Sequence, residues 1–395
     1  MNALRLVVVT GRFWPFAADQ QRLLADLVEQ LASSGVKVTV VTAQGHKSWP
    51  TFISFRRIPV VRLPRSNSRV WGAFRYQRSL SQWLAEHRRQ FDLAYVAGMR
   101  DEAQAVLSAA AQGGFPVVLR AVGLGRSGDC QWHKSVHFGG RIASRCRAAD
   151  AVIAPNTVAV EELRHAGLDP RKIEQIDDGV PPRRRKDAAL QQRARAELAD
   201  VHPVLVVPQD APFVLYSGPI RENPALLDLV AAWPIVLQRR PSARLWLAGD
   251  ATGADSLWNE IQQADLTDSI ILPGSFDHFD DLLPAVNVYV HAAHQSAPSL
   301  TMLQAMAAGV PIVANRTPLT ESLLDDEADA LLTPPGDHAA LAEAIMHVLA
   351  DGPVADRLAE AAWRKSSQRH TIGQMAQKHL SLFGRLVSSR ILAMS

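Results

Sequence analysis

The sequence predicts an α/β protein made of two doubly wound domains that face each other across a cleft. Three observations carry this. Strand-length apolar runs alternate with helical stretches from residue 4 to residue 176, the alternation restarts at Phe213, and a Pro- and Arg-rich break lies between the two rounds. Such alternation packs strands into a parallel sheet with helices on both faces. The length, 395 residues, also exceeds the roughly 250–300 residues that one core usually serves.

The run 4–9 reads as a buried strand, interrupted only by Arg5 and closed by Thr10 and Gly11. Over 21–32, Leu23, Leu24, Leu27 and Leu31 share one helical stripe that Gly35 ends. A second strand follows over 36–41, and others over 93–96, 117–122, 151–154 and 173–176, with a helix over 157–166 stopped by Gly167. Residues 178–182 break the pattern, a basic knot spans 183–186, and a helical stretch covers 188–198. The second round places strands over 213–217, 243–248, 269–272, 287–291 and 311–314, with helices over 300–308 and 339–349. The expected division is therefore a Rossmann-like domain over 1–182, a linker over 183–212, a second Rossmann-like domain over 213–354 and a helical tail over 355–395 at the domain junction. Sheets of this kind take ligands at the carboxyl ends of their strands, so function is expected in the cleft.

Composition narrows the class. With 47% hydrophobic and 21% charged residues the chain is neither disordered nor collagenous, and its longest apolar runs fall far short of the ~20 residues of a membrane span. Cys130 and Cys146 form no CxxC pair, and the amino terminus lacks a signal-peptide succession, so a reducing cytosol is expected. The net charge is only +3, but residues 51–90 hold nine arginines against the single acid Glu86, while the second half carries Asp325, Asp326, Glu327 and Asp329. A one-sided basic region calls for an anionic partner. With Trp71, Phe74, Tyr76 and Trp83 interleaved, it is expected to line an acceptor side or a membrane-facing rim, or simply to be a solvated face whose aromatics pack inward. Nucleic acid is not expected.

Two motifs are weaker than they look. Gly123, Gly125 and Gly128 spell G-x-G-x-x-G after a strand, but deep in the first domain rather than at its opening turn, so a loop needing positive φ is the better reading than a dinucleotide site. His133 and His137 share a helical spacing, yet Lys134 stands where a zinc protease would place glutamate and no third ligand follows. No metal site is expected.

The segment from residue 287 to 314 is the most informative. A strand runs through a polar turn into the short helix 300–308, with Pro298 and Ser299 suited to its entrance. The Leu300 and Thr301 amides would then face the cleft with the helix dipole behind them, a site for a diphosphate that needs no basic side chain. The run from Gln304 to Ala314, together with residues 8–15, 167–180, Gly249–Asp250 and 331–345, resembles the retaining group-1 (family four) glycosyltransferases. The resemblance implies the GT-B fold, a nucleotide-sugar held mainly by the second domain, an acceptor on the first, and retention of configuration without an obligatory metal or other cofactor.

The chain also departs from that family. Ser296 and Gln304 occupy the positions of its two glutamates, which bind the sugar hydroxyls and the ribose. Pro219 follows Gly218 where the family has arginine, Arg221 is the nearest cation, and Glu222 falls roughly where a lysine would grip the diphosphate. Ala17 and Ala18 replace small glycines of the first-domain loop. Each lost donor at a developing charge costs about 2.7–4 kcal/mol, so two together slow chemistry by on the order of 10⁴-fold unless another arginine substitutes. The expected donor site is Gly218, Arg221, Ser296, Ser299, Leu300, Thr301 and Gln304. Arg12, Arg120 and Asp129 are expected on the acceptor or cleft side. The expected function is glycosyl transfer from a nucleotide-sugar to an unknown acceptor, lipid-linked or polysaccharide, at the inner face of a membrane. The alternatives are a catalytically weakened binding or scaffold protein that keeps the cleft, and an epimerase or phosphorylase of the same fold.

Overall fold

A computed structural model describes residues 3–16, 18–65, 69–201, 205–220, 223–276, 279, 282–297 and 299–394. The chain divides into two compact units, Met1–Gly179 with Ile372–Ser395, and Val180–Thr371.

In the first unit the strands are β1 (Arg5–Thr10), β2 (Lys37–Ala43), β3 (Phe52–Phe55), β4 (Ile58–Leu63), β5 (Leu93–Ala97), β6 (Val117–Arg120), β7 (Ala151–Ala154) and β8 (Ile173–Gln175). The helices between them are α1 (Asp19–Ser33), α2 (Arg69–Glu86), α3 (Asp101–Gly113), α4 (Asp129–Ser135), α5 (Gly139–Cys146) and α6 (Thr157–His165). Their sheet runs β3-β4-β2-β1-β5-β6-β7-β8 and is parallel throughout except for β3. Leu6, Val7, Val8 and Val9 on the central strand are all buried, which is why β1 is a near-continuous apolar run.

The second unit holds α7 (Ala188–Val201), β9 (Phe213–Ser217), α8 (Pro224–Arg239), β10 (Arg244–Ala248), α9 (Asp255–Gln263), β11 (Ile270–Gly274) and β12 (Val288–His291). It continues with α10 (Leu300–Ala308), β13 (Ile312–Asn315), α11 (Pro318–Leu323), β14 (Leu331–Thr333), α12 (His338–Ala350) and α13 (Gly352–Arg369). Its sheet is wholly parallel, in the order β11-β10-β9-β12-β13-β14. Every residue of α10 is buried, as its nearly all-apolar sequence requires, and Gly309 ends it in the left-handed region at φ 67°.

Three features differ from the sequence expectation. The first is a hairpin, β3 with β4, inside the basic stretch. Its two turn residues, Arg56 and Arg57, both have positive φ (47° and 68°), a conformation that Asn-Gly usually fills. The second is the segment 183–212, which packs within the second unit rather than bridging. Arg195 on α7 is buried and donates to the carbonyls of Ala285, Pro208 and Gln209 and to Asn287 Oδ1, while Lys186 Nζ donates to the Val286 carbonyl. The third is the tail, which divides. Helix α13 packs on α10 and α12, whereas α14 (Ile372–Met394) packs on α1 in the first unit. There His379 and Phe383 meet the Tyr95 ring at 5.5 and 5.8 Å, and Arg385 pairs with Glu174 at 2.5 Å.

Candidate functional site

Each sheet has one place where strand order reverses direction, and a crevice opens there beyond the carboxyl ends of the strands. In the second unit that place lies between β9 and β12. The β9 turn begins at Gly218, whose N–H donates to the Ala248 carbonyl at 3.0 Å, and the Ile220 N–H reaches Asp250 at 2.8 Å. A Cβ on Gly249 would come within 1.8 Å of the Gly218 oxygen, so the turns after β9 and β10 can lie this close only with glycine there.

Across the crevice, Ser299 caps α10 by accepting from the Met302 N–H at 3.2 Å, and the Tyr289 hydroxyl lies 3.1 Å from its oxygen. The capping oxygen thus engages Met302 rather than Leu300 or Thr301. Thr301 Oγ1 lies 3.0 Å from Ser217 Oγ, which joins the first turn of α10 to the end of β9. Gln304 is one helical turn beyond Leu300 and Thr301; it is buried, and its Oε1 meets no hydrogen-bond partner among the described residues. A buried acceptor without a donor costs about 1–3 kcal/mol, so this position favours a hydroxyl-bearing ligand. Beside Gly218, burial pushes the Tyr216 phenol up to about 12, which keeps it neutral.

The structure therefore brings together Gly218, Ser299, Leu300, Thr301 and Gln304. Ser296 takes a different part: its hydroxyl accepts from the Leu319 N–H at 3.2 Å and closes the turn onto the start of α11. In the same turn His294 bonds Asp228 on α8. Arg221, Glu222, Ala17 and Pro298 lie outside the described residues.

The first unit reverses strand order between β1 and β5, and a cavity of about 400 Å³ opens there. Its walls include Arg12, Arg65, Arg100, Asp101, Glu102 and Asp129. Asp129 is buried and accepts from the Met99 and Val122 amides, each at 3.0 Å, and from Arg100 Nε at 2.7 Å. It ties the loops after β5 and β6 together, a positioning role rather than direct engagement with a ligand. Arg120 is likewise committed: it is buried and pairs with Asp178 at 2.5 Å and Gln20 at 2.9 Å, so it is no mobile substitute for a missing cation. Arg12 is exposed and lies over the Phe16 ring.

Glu102 is the residue that sequence reasoning missed. Its Oε1 sits where the turns after β1 and β5 meet, 3.3 Å from a Cβ built on Gly11 and 3.2 Å from one built on Gly98, which has φ 138°. Burial foremost, then Asp129 and Asp101, raise its carboxyl to about 7. An acid in the first turn of a helix is ordinary, and only the strand order shows that this one stands at the crevice.

The remaining motifs are structural. Gly123 and Gly125 take positive φ (72° and 52°), and a Cβ on Gly123 would meet the Ser127 carbonyl at 2.8 Å. His133 is buried against the Met99 carbonyl at 2.6 Å, and among the described residues no three His, Cys, Asp or Glu side chains converge as a metal site. The basic stretch disperses. Arg56 pairs with Asp26 and Glu29, and buried Arg62 donates to the Trp14 and Pro50 carbonyls. The Tyr76 hydroxyl donates to the Thr10 carbonyl, and among the described residues of the stretch Arg65 and Tyr76 line the cavity.

Residues 20–184 match the family described as Glycosyltransferase Family 4, and residues 211–351 match Glycosyl transferases group 1. A lipopolysaccharide core biosynthesis glycosyltransferase of Rhizobium meliloti is 29% identical over 156 residues, 40% of this chain and 45% of that one. Alpha-D-kanosaminyltransferase of Streptomyces kanamyceticus is 24% identical over 86% of this chain and 92% of its own. The chain thus spans under half of the first relative and nearly all of the second. Among solved structures, sucrose-phosphate synthase from Thermosynechococcus elongatus superposes with TM-score 0.78 at 20% identity, covering 98% of this chain and 100% of that one. Anabaena HepE in complex with UDP does so with TM-score 0.76 at 18% identity, covering 97% and 100%. Two matched segments of one enzyme family, in chain order, and a fold that agrees over nearly the whole length place this chain among the group-1, family-four glycosyltransferases of GT-B fold.

Proposed function

We propose that the protein transfers a sugar from a nucleotide-sugar to a hydroxylic acceptor, with retention of configuration and without a resident metal. The second unit takes the donor and the first takes the acceptor. The observation that carries this is the strand-order reversal between β9 and β12, where Thr301 in the α10 first turn meets Ser217 beside Gly218, with Gln304 and its orphaned Oε1 one helical turn further along α10. The helix start supplies amides and a partial positive charge to the diphosphate, and Gln304 supplies an acceptor to a ribose hydroxyl. Support for a uridine nucleotide comes from the UDP and UDP-glucose complexes of the structurally similar HepE. Lipid-linked or polysaccharide acceptors fit the names of relatives such as alpha-monoglucosyldiacylglycerol synthase of Streptococcus pneumoniae. No helix among the described residues is long and apolar enough to cross a membrane. Calorimetry with UDP and UDP-glucose tests the donor half. The anomeric proton coupling of the product tests retention, and full activity after chelation tests independence from metal.

The weakened-scaffold reading draws on Ser296, whose hydroxyl is spent on the Leu319 amide instead of offering a carboxylate to the sugar. Nucleotide binding without turnover on any acceptor would make it the better account.

A further inference from the structure

We propose that the crevice between the β1 and β5 turns binds an acceptor in which a hydroxyl stands beside a phosphate or carboxylate, with Arg12 and Arg65 on the anion and Glu102 on the hydroxyl. The assignment to an acceptor rests on the function proposed above; the binding chemistry rests on the cavity. Its volume, about 400 Å³, suits a monosaccharide-sized group, and it lies wholly within the first unit.

The charges in its wall are unevenly committed. Arg100 is neutralised by Asp129, whose oxygens are also filled by two backbone amides. Asp101 accepts from Gln77 Nε2 at 3.0 Å and lies near Arg65 without an ion pair between them. Arg12 and Arg65 have no ion-pair partner among the described residues. Below about pH 7, where Glu102 holds its proton, three guanidinium groups face two carboxylates, an excess of one positive charge inside a concave wall. Paired guanidinium groups recognise carboxylate and phosphate oxygens in forked geometry.

Glu102 adds the second specificity. Gly11 and Gly98 make room for its Oε1 beside the cavity that Glu102 lines, and no other residue donates to it among the described contacts. A protonated carboxyl both donates and accepts, as a sugar hydroxyl does, whereas it offers a phosphate only one donor. The site therefore discriminates anionic sugars from plain anions and from neutral sugars.

The test is calorimetry on the full-length protein at pH 6.5 with glucose 6-phosphate, glucuronate, glucose and inorganic phosphate, with UDP titrated in parallel. The expected result is that the two anionic sugars bind at least tenfold more tightly than glucose. The double change Arg12→Ala and Arg65→Ala should remove at least tenfold of that affinity and leave UDP binding intact. Glu102→Ala should weaken glucose 6-phosphate at least threefold while leaving inorganic phosphate unchanged. Flotation with phosphatidylglycerol vesicles, competed by free glycerol 3-phosphate, distinguishes the source: competed binding marks a lipid headgroup, and no flotation marks a soluble sugar acid. Equal affinity for glucose and glucose 6-phosphate, or arginine changes without effect, overturns the proposal. If UDP binds and none of the anionic sugars does, this inference fails while the donor reading stands. If the sugars bind and UDP does not, the reverse holds.

Discussion

Replacing Glu102 by glutamine should make the stability of the first unit less dependent on pH. The carboxyl is partly buried where the β1 and β5 turns meet, and its surroundings lift it from 4.5 to about 7. Burial is the largest cause; Asp129 and Asp101 add to it, while Arg100 and the residue's own backbone N–H oppose it. Tyr76 also faces the group, but its phenol is held neutral well above the usual tyrosine range by burial, then by Glu102 itself. The sign follows from the direction. Below pH 4.5 both folded and unfolded chains carry the proton and nothing is lost. As pH rises towards 7 the unfolded chain ionises first, so the raised group stabilises the fold at low pH and that contribution disappears above about 7. At ~1.4 kcal/mol per decade the full loss is about 3 kcal/mol, an upper figure because water still reaches the side chain. Glutamine keeps the shape of the neutral acid and cannot ionise. Urea unfolding of parent and variant at pH 5 and pH 8.5 should give similar stabilities at the first and a variant more stable by up to about 3 kcal/mol at the second. In a unit of this size that corresponds to roughly 6–12 °C in melting temperature. A difference that is the same at both pH values would refute the placement of this carboxyl.

Other expectations follow from the same geometry. Arg120→Met removes the buried cation from the half-buried Asp178 and should cost up to about 3 kcal/mol, read from the urea midpoint, whereas a freely moving cleft arginine would cost little. Gly249→Ala forces a methyl to within 1.8 Å of the Gly218 carbonyl, so the turns after β9 and β10 must part; UDP binding should fall at least tenfold, by calorimetry. Ser299→Ala removes the α10 cap and should destabilise the second unit by about 1 kcal/mol. Gln304→Leu removes the orphaned oxygen, so urea stability should hold or rise while uridine and UDP affinities fall together.

Much of this was written in periodicity. The alternation that predicts β1, β9 and β12 is set by burial on both faces of a parallel strand, a property each run carries by itself. The hairpin β3–β4 was not legible, because its turn uses Arg56 and Arg57 in left-handed geometry where glycine or asparagine would have announced it. Arg56 is held there by Asp26 and Glu29 on α1, a tertiary restraint invisible in the local sequence. The helical tail was legible as helix but not as two helices in two units, since the break falls at His370 and Thr371, neither of which is a helix breaker.

The sites divide along the same line. A helix start preceded by serine and a glycine after a strand are local signals, and the structure has both the α10 start at Leu300 with its Ser299 cap and the turn at Gly218. Charge is not local in that sense. Arg120 and Asp129 were expected on the cleft side, yet the polar atoms of each are committed to partners: Gln20 and Asp178 for Arg120, and two amides with Arg100 for Asp129, which still borders the cavity. Glu102, which the sequence did not single out, is an acid in a helix's first turn whose carboxyl has no donor beyond its own backbone N–H among the described residues. What separates them is how many donors the fold has already supplied, and that number is fixed by strand order. A residue just after β1 or β5 stands at the reversal itself, where the cavity opens, while Arg120 at the end of β6 is one strand away and is held by Gln20 and Asp178. Reading function from such a sheet therefore requires its strand order first, and chemical identity only afterwards.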